Sequence, residues 1–218
     1  MQRGLHSPRI ALLLFATAAL AAGACQPMNP GGGCISDTSP TGTGTRVFPQ
    51  ASCGLDFTVR IPNACANGGC GLIIDVHGFA MDGNIQDRNT NLRRLGGDAG
   101  FVVASPTARV GGQALPSFSQ AMDANLIADF AREAIGAFNL NPNRIHIGGF
   151  SQGAGISFFS ICNFPDLYAS AAPIAGGGGS CFANGPPIPL LQTNGMRDEF
   201  ANFAGASNTR STIVAGMA

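Results

Sequence analysis

Short apolar runs alternate with amphipathic segments along this chain, and the alternation predicts strands separated by helices. Six runs have the length and the apolar or β-branched content of strands: 57–61, 72–76, 101–104, 144–148, 171–175 and 188–192. Pro106 follows the third run, and we expect it to stop that strand because proline has no N–H to donate within a sheet.

The clearest helix signal covers residues 123–138. Its apolar side chains recur every three or four residues and leave the charged ones largely on the other face; they are Leu126, Ile127, Phe130, Ala131, Ala134, Ile135 and Phe138. Weaker patterns predict helices over 87–98 and 152–162. Strands that alternate with helices indicate the α/β class, with a mostly parallel sheet and helices on both faces.

The first residues have the pattern of a bacterial-type export signal. Arg3 and Arg9 precede an apolar run over 10–22, which is too short for a comfortable membrane span. Residues 25–45 are rich in Gly, Pro, Ser and Thr and have almost no apolar periodicity. We therefore expect a signal peptide over 1–24, a flexible tether over 25–45 and one folded domain over 46–218.

Two cleavage sites are compatible with this signal. An Ala-x-Ala site permits cleavage after Ala24 and free secretion. Alternatively, Ala22-Gly23-Ala24-Cys25 is similar to a lipobox, in which Cys25 would carry a lipid and tether the protein to a membrane. The sequence leaves both outcomes open.

The cysteine count fits an oxidising environment. The chain has seven cysteines, and without Cys25 six remain, which an exported protein can oxidise to three disulfides. Cys65 and Cys70 bracket a Gly-rich turn, so we expect them to be bonded. Proximity along the chain suggests the other two pairs, Cys34 with Cys53 and Cys162 with Cys181.

Charge and composition exclude other functions. Twelve arginines and no lysines balance twelve acidic residues, and no basic run could neutralise a row of phosphates, so no nucleic-acid partner is expected. No group of Cys and His has the spacing of a zinc site. We expect neither a metal nor a cofactor.

The single Gly-x-Ser-x-Gly of the chain, residues 149–153, predicts a nucleophilic serine at Ser151. The pentapeptide is a weak signal by itself, but a predicted strand enters it and a predicted helix leaves it. A serine on such a sharp turn has a strained backbone, and strand and helix converge there, so glycines are needed two residues before and after it. The N–H groups and the dipole at the start of the helix favour an oxyanion beside the serine Oγ.

A second element would complete an oxyanion hole. The predicted strand 72–76 ends at His77-Gly78-Phe79, where a backbone N–H is available beside the carboxyl ends of the strands. The N–H groups of Phe79 and Gln152 are the expected oxyanion donors. His77 is interpreted as a structural residue that holds this loop, not as a base.

These motifs resemble a known family. His77-Gly78 together with segments 98–106, 144–153, 164–169 and 172–176 is similar, in order and spacing, to secreted polyhydroxybutyrate depolymerases and feruloyl esterases. The resemblance covers roughly residues 55–200. The elbow sequence is also similar to that of acyl-protein thioesterases and carboxylesterases. Both groups imply the α/β-hydrolase fold.

The resemblance also implies a triad carboxylate. A segment similar to residues 189–195 leads to that acid in the family, and the matching position is Asp198, with Glu199 as its rival. The family has His-Gly before this aspartate, whereas Asn194-Gly195 stands here.

The triad base is missing from the sequence. The chain has three histidines: His6 lies in the signal peptide, His77 in the oxyanion loop, and His146 five residues before Ser151 on the incoming strand. The α/β-hydrolase order places the base after the acid, yet no histidine follows Asp198. Either the hydrolase domain is incomplete, with its last strand and His loop missing, or the chain is a degenerate relative. We expect an unpaired sheet edge and little esterase activity.

The functional expectation is an exported serine carboxylic ester hydrolase that forms an acyl-enzyme on Ser151. Its partner would be an ester-bearing polymer or oligomer, such as a feruloyl or acetyl polysaccharide ester or a polyhydroxyalkanoate. Two alternatives remain open: a catalytically inactive surface lipoprotein with a hydrolase-like binding cleft, and a thioesterase or lysophospholipase type of carboxylesterase.

Overall fold

The computed structural model describes residues 33–35, 43–110, 114–177 and 188–216. The signal peptide expected over 1–24 and the lipid anchor expected at Cys25 lie outside these residues. The strands are β1 Gly44–Phe48, β2 Asp56–Ile61, β3 Gly71–Val76, β4 Phe101–Thr107, β5 Ile145–Phe150 and β6 Ser170–Ile174. The helices are α1 Gln50–Cys53, α2 Gly83–Thr90, α3 Leu92–Asp98, α4 Gln120–Ala137, α5 Gln152–Asn163 and α6 Phe203–Gly216.

The six strands form one mixed sheet in the order β1-β2-β4-β3-β5-β6. Strands β4, β3, β5 and β6 are parallel to one another, whereas β1 and β2 are antiparallel. Because parallel strands end at the same edge, the carboxyl ends of β3, β5 and β6 lie side by side. The expected α/β class with a mostly parallel sheet is confirmed.

Helices cover both faces of this sheet. On one face Gly96 of α3 lies against Ile73 and Val103. Neighbouring residues of a strand point to opposite faces, so Leu72 and Ile74 face the side of the sheet opposite to Ile73. They are buried in the hydrophobic core to which α4 contributes its apolar stripe. In that core Phe130 of α4 stacks on Phe57 of β2, with ring centroids 3.9 Å apart.

Two disulfides fasten the amino-terminal half of the domain. Cys34 is bonded to Cys53 and Cys65 to Cys70, which confirms both predicted pairs. Cys162 is also disulfide-bonded, and Cys181, its predicted partner, lies outside the described residues. Part of the expected tether 25–45 is thus bonded to the domain at Cys34, and Gly44 already begins β1.

The expectation that Pro106 stops its strand is wrong. β4 runs through Pro106 to Thr107, and Pro106 faces Phe57 of the antiparallel β2. On its other side β4 pairs with β3 only as far as Ala104. Proline has no N–H to donate, but it is tolerated here because beyond Ala104 no described strand on that side of β4 forms backbone hydrogen bonds with it.

The helix predicted over 87–98 is two helices that meet at Asn91. This residue has left-handed backbone angles, φ 55° and ψ 25°, which a continuous helix cannot contain. The first helix also begins earlier than expected, because the carboxylate of Asp82 accepts the N–H groups of Asn84 and Ile85 and caps it.

The segment predicted as a strand over 188–192 is extended beside β6 but forms only isolated bridges to it. Leu190 bridges Ala171 and Thr193 bridges Ile174, both in the parallel sense. No further strand pairs with its outer side within the part of the chain that the structure describes.

Each helix in the described part of the chain is too short or too polar to span a bilayer.

Candidate active site

Ser151 stands on the turn between β5 and α5, as its motif predicts. Its backbone angles are φ 53° and ψ −110°, a conformation that L-residues adopt only under constraint. The constraint includes a hydrogen bond of 2.9 Å from the Ser151 N–H to the Ile174 carbonyl of β6. The serine is half-buried at the carboxyl edge of the parallel strands.

Close backbone contacts explain both glycines of the motif. A Cβ on Gly149 would stand 2.6 Å from the Gly153 carbonyl and 2.7 Å from the Val76 carbonyl oxygen. A Cβ on Gly153 would overlap that same Val76 oxygen and lie 2.7 Å from the His77 carbonyl oxygen. Strand β5, helix α5 and the end of β3 therefore meet at backbone distance, which places residues 76–78 beside the serine.

Three of the six non-glycine residues with positive φ in the described chain lie at or just beyond this edge. Ala80, Ser151 and Ala175 have positive φ values of 60°, 53° and 50°. They follow the ends of β3, β5 and β6 respectively, and each such conformation costs about 1–3 kcal/mol. Strain of this kind clusters at functional sites, which makes the carboxyl edge a candidate for chemistry.

The Phe79 N–H is available as an oxyanion donor. Its neighbours in the turn are occupied, since Ala80 donates to the Pro116 carbonyl at 2.9 Å and Met81 to the Gly78 carbonyl at 3.2 Å. The Phe79 N–H itself has no acceptor among the described residues. The other expected donor, the Gln152 N–H, opens α5, where the first N–H groups of a helix lack intrahelical acceptors.

The side chain of Gln152 has a role that the sequence did not reveal. Its Oε1 accepts the Phe118 N–H at 3.0 Å, and its Nε2 donates to Ser117 Oγ and to the Phe118 carbonyl. These bonds fasten the segment before α4 next to Ser151. No local sequence signal could have predicted these bonds, because they join residues more than thirty positions apart along the chain.

The same segment is fastened to α4 by an ion pair. Asp123 is buried and bonds to Arg109 and to the Ser119 N–H, while Arg109 also donates to the Gly54 carbonyl at 2.8 Å. Burial raises the pKa of Asp123, and the Ser119 N–H and the Arg109 charge oppose that shift. The pair stabilises the wall of the site without reaching the serine.

His77 is completely buried, and both ring nitrogens are engaged. Nδ1 lies 2.6 Å from the Gly78 carbonyl oxygen, and Nε2 accepts the Ala108 N–H at 2.9 Å. Burial lowers the pKa of His77. The interpretation of His77 as a structural residue is confirmed, since a base needs a free nitrogen facing the serine.

His146 is also a sheet residue. It lies on β5 between Ile73 and Ser170, and its Nδ1 is 2.8 Å from Ser170 Oγ. Burial, followed by the charge of Arg144, lowers the pKa of His146. Neither of the two described histidines therefore supplies a base to Ser151.

Asp198 lies in the loop that follows the extended segment beside β6. Its Oδ1 accepts the N–H groups of Phe200 and Ala201 at 3.0 and 2.8 Å. The loop begins after Thr193, which bridges Ile174, and the Ile174 carbonyl binds the Ser151 N–H. Asp198 is half-buried at the same sheet edge as Ser151, whereas its rival Glu199 is exposed.

Asp75 is another buried acid near this edge, and its contacts are structural. Its two carboxylate oxygens accept hydrogen bonds from Gln86 Nε2 and Thr90 Oγ1, both at 2.7 Å, which attach α2 to β3. Burial raises the pKa of Asp75. No group of His, Cys, Asp or Glu within the described ranges could hold a metal ion.

Sequence comparison finds relatives that cover part of the chain, although no protein-family model matches it. Feruloyl esterase B of Piromyces equi is 27% identical over 146 residues, which are 62% of this chain and 27% of that protein. Acetylxylan esterase A of Talaromyces purpureogenus is 25% identical over 142 residues, covering 62% of this chain and 37% of the relative. The chain thus spans between about a quarter and somewhat more than a third of the length of these relatives.

Structural comparison shows the fold. Esterase PE8 superimposes with a TM-score of 0.61 at 17% identity, covering 74% of this chain and 84% of that one. The carboxylesterase of Bacillus cereus gives 0.62 at 15% identity, covering 77% and 83%. The acetyl xylan esterase from Aspergillus awamori gives 0.60 at 17% identity, covering 76% and 75%. The chain has the α/β-hydrolase fold.

Proposed function

We propose that this chain is a serine carboxylic ester hydrolase that forms an acyl-enzyme on Ser151. The observation that carries the proposal is the strained elbow at Ser151, which two obligatory glycines fix beside the Phe79 N–H, a donor that has no acceptor among the described residues. Its partial sequence similarity to feruloyl and acetylxylan esterases supports the same reaction class.

The reaction follows from the positions of these groups. Ser151 Oγ attacks the ester carbonyl while a general base takes its proton, and the carbonyl oxygen becomes an oxyanion held by the Phe79 and Gln152 N–H groups. Collapse expels the alcohol, which receives the proton, and leaves the acyl group on Oγ. Water then attacks the acyl-enzyme by the same route and releases the acid.

Asp198 would orient and stabilise the base. Asp198 follows the extended segment beside β6, and β6 is the neighbour of β5, the strand that ends at Ser151. In this position the carboxylate could face an imidazole placed between Asp198 and Ser151. Neither of the two described imidazoles occupies that place: His77 and His146 are bound elsewhere, and the sequence has no histidine after Asp198. We therefore propose that the 218-residue chain has little activity alone.

The substrate would be an ester of an extracellular polymer, either a feruloyl or acetyl polysaccharide ester or a polyhydroxyalkanoate. The export signal predicted over 1–24 would place this reaction outside the cytoplasm, with or without a lipid on Cys25. Phe79 and Phe150 leave 46% and 41% of their surface exposed next to Ser151. These rings offer apolar surface to an acyl group.

Chemical rescue tests the proposal on the chain as it stands. Hydrolysis of p-nitrophenyl acetate is measured with and without added imidazole, and Ser151→Ala supplies the background of imidazole alone. We expect almost no Ser151-dependent turnover in buffer and at least about a tenfold rise with imidazole, because a general base typically contributes 10²- to 10⁴-fold. Mass spectrometry should detect an acetyl group on Ser151.

Either of two results would contradict part of this proposal. Turnover at an ordinary esterase rate without imidazole would show that the chain already contains its base. No Ser151-dependent reaction under either condition would reject the esterase proposal.

A second candidate function, a non-catalytic protein that binds esters in this cleft, is favoured by the missing imidazole. It predicts that the wild type and Ser151→Ala bind feruloylated or acetylated xylan fragments equally well in calorimetry. It also predicts that imidazole gives no Ser151-dependent rate.

A further inference from the structure

The hydrogen bonds of His77 fix its tautomer. The Ala108 N–H can only donate, so Nε2 must present its lone pair to it. A neutral imidazole with an unprotonated Nε2 carries its proton on Nδ1. The Nδ1–H therefore donates to the Gly78 carbonyl oxygen 2.6 Å away.

This bond sets the orientation of one peptide unit. The Gly78 carbonyl and the Phe79 N–H belong to the same trans peptide, in which the two groups point in opposite directions. Because His77 is completely buried, its hydrogen bond holds the carbonyl toward the interior. The Phe79 N–H consequently points outward, to the edge where Ser151 lies.

The His77 ring is held in place, and its bond is the shorter of two to the Gly78 carbonyl. The ring of Phe118 packs 4.5 Å from that of His77 and restricts its rotation. The Gly78 carbonyl also accepts the Met81 N–H, but at a longer distance of 3.2 Å. Rotation of the 78–79 peptide would cost the short His77 bond and turn the candidate oxyanion donor away from the serine.

We propose that His77 is a positioning residue of the oxyanion hole: its Nδ1–H holds the Gly78 carbonyl so that the Phe79 N–H faces the reacting carbonyl of a substrate on Ser151. The proposal rests on the esterase function proposed above. It assigns His77 a part in the reaction that a residue merely filling the core would not have.

Nuclear magnetic resonance of the wild type tests the first step. Ring ¹⁵N shifts should show the Nδ1–H tautomer of His77, and a coupling across the hydrogen bond should join Nδ1 to the Gly78 carbonyl carbon. A proton found on Nε2 overturns the proposal, because Nδ1 could then donate nothing.

Two substitutions separate positioning from packing. His77→Asn places an amide N–H near the position of Nδ1 and can keep the bond to Gly78, whereas His77→Gln places an amide oxygen near Nε2 and keeps only the bond from Ala108. Residual dipolar couplings report the direction of the Phe79 N–H bond in each variant. We expect the wild-type direction in His77→Asn and a changed one in His77→Gln.

The imidazole-rescued acetylation of Ser151 is the functional readout. Loss of one oxyanion donor typically costs about 10²- to 10³-fold, so His77→Gln should react at least about tenfold more slowly than His77→Asn at similar thermal stability. Equal rates, or equal Phe79 couplings in the two variants, overturn the proposal. If the wild type shows no Ser151-dependent reaction, the esterase function fails, and the couplings alone decide whether His77 orients the peptide.

Discussion

At Gly153 two stretches of backbone come closer than any side chain permits. The first turn of α5 lies directly on the carbonyl oxygens of Val76 and His77. By contrast, Gly155, one half-turn further along the same helix, has only Gln120 Nε2 and the Gly177 carbonyl near its Cβ position, at 3.7 and 3.9 Å. The backbone around Gly153 thus excludes a side chain, whereas the space around Gly155 would accept one.

The contrast gives a matched pair of substitutions. Gly153→Ala should lower the free energy of unfolding by at least about 1–3 kcal/mol, because the new methyl group pushes β3 and α5 apart. Gly155→Ala should be neutral or raise it by up to about 1 kcal/mol, because alanine favours a helix. Urea unfolding of the three proteins decides, and equal stabilities would show that the close contact at Gly153 does not exist.

Burial of neutral His77 makes stability depend on pH. Its folded pKa is lowered by desolvation, so the unfolded chain, with a pKa of about 6.5, binds a proton that the folded chain refuses. We expect the free energy of unfolding to fall as the pH drops below about 6.5. Thermal melts between pH 8 and 5 measure this.

His146→Gln supplies the comparison for the pH experiment. The pKa of His146 is lowered too, but this residue is only half-buried and should contribute less of the slope. A pH profile that becomes flat in His146→Gln would mean that His77 is not the main source.

At the level of elements, helix α4 carries two aspartates with very different surroundings. Asp123 is buried and pairs with the partly buried Arg109, whereas Asp129 forms an exposed pair with Arg132 and leaves 62% of its side chain in solvent. Both aspartates lie on α4 and both pair with an arginine, so the main difference between the two ion pairs is how deeply the aspartate is buried. Asp123 also joins α4 to the segment that Gln152 fastens beside Ser151.

We expect Asp123→Asn to lower the free energy of unfolding by about 1–3 kcal/mol. The reason is that the partly buried Arg109 would lose its charged hydrogen-bond acceptor. Asp129→Asn should change it by less than about 0.5 kcal/mol, since exposed ion pairs contribute little. Chemical unfolding compares the two. Similar losses in both variants would contradict the role assigned to the buried pair.

Across the whole molecule, disulfides connect the amino-terminal segment to the hydrolase domain. Cys34 is held to Cys53 at a separation of 19 residues, and the neighbouring Ile35 is buried in the core with its N–H bonded to Glu133 at 2.9 Å. The Cys65–Cys70 bond closes a turn with a separation of only 5 residues. The two bonds therefore constrain the unfolded chain to different degrees.

Replacing both Cys34 and Cys53 by serine should cost about 3 kcal/mol, against about 2 kcal/mol for the pair Cys65 and Cys70, because the larger loop loses more entropy when it is closed. Calorimetric melts of the two double variants test the order. The reverse order would show that local packing of the turn outweighs chain entropy.

The sequence alone was sufficient wherever the signal is local. The runs 72–76 and 144–148 have strand composition, and the Gly-x-Ser-x-Gly motif needs its glycines within two residues of Ser151, so the parallel strands and the elbow could be predicted. The prediction that these residues contain no triad base also comes from sequence, because it depends only on the positions of three histidines. Turn chemistry within five residues predicted the Cys65–Cys70 bond.

Only the tertiary structure decided the features that depend on residues far apart along the chain. Pro106 stays in β4 because β3 pairs only as far as Ala104, and the side chain of Gln152 binds residues more than thirty positions away. The tautomer of His77 is set by an N–H thirty-one positions distant. A local pattern can specify which groups the chain carries, but the direction in which a hydrogen bond points depends on the partner that folding brings to it.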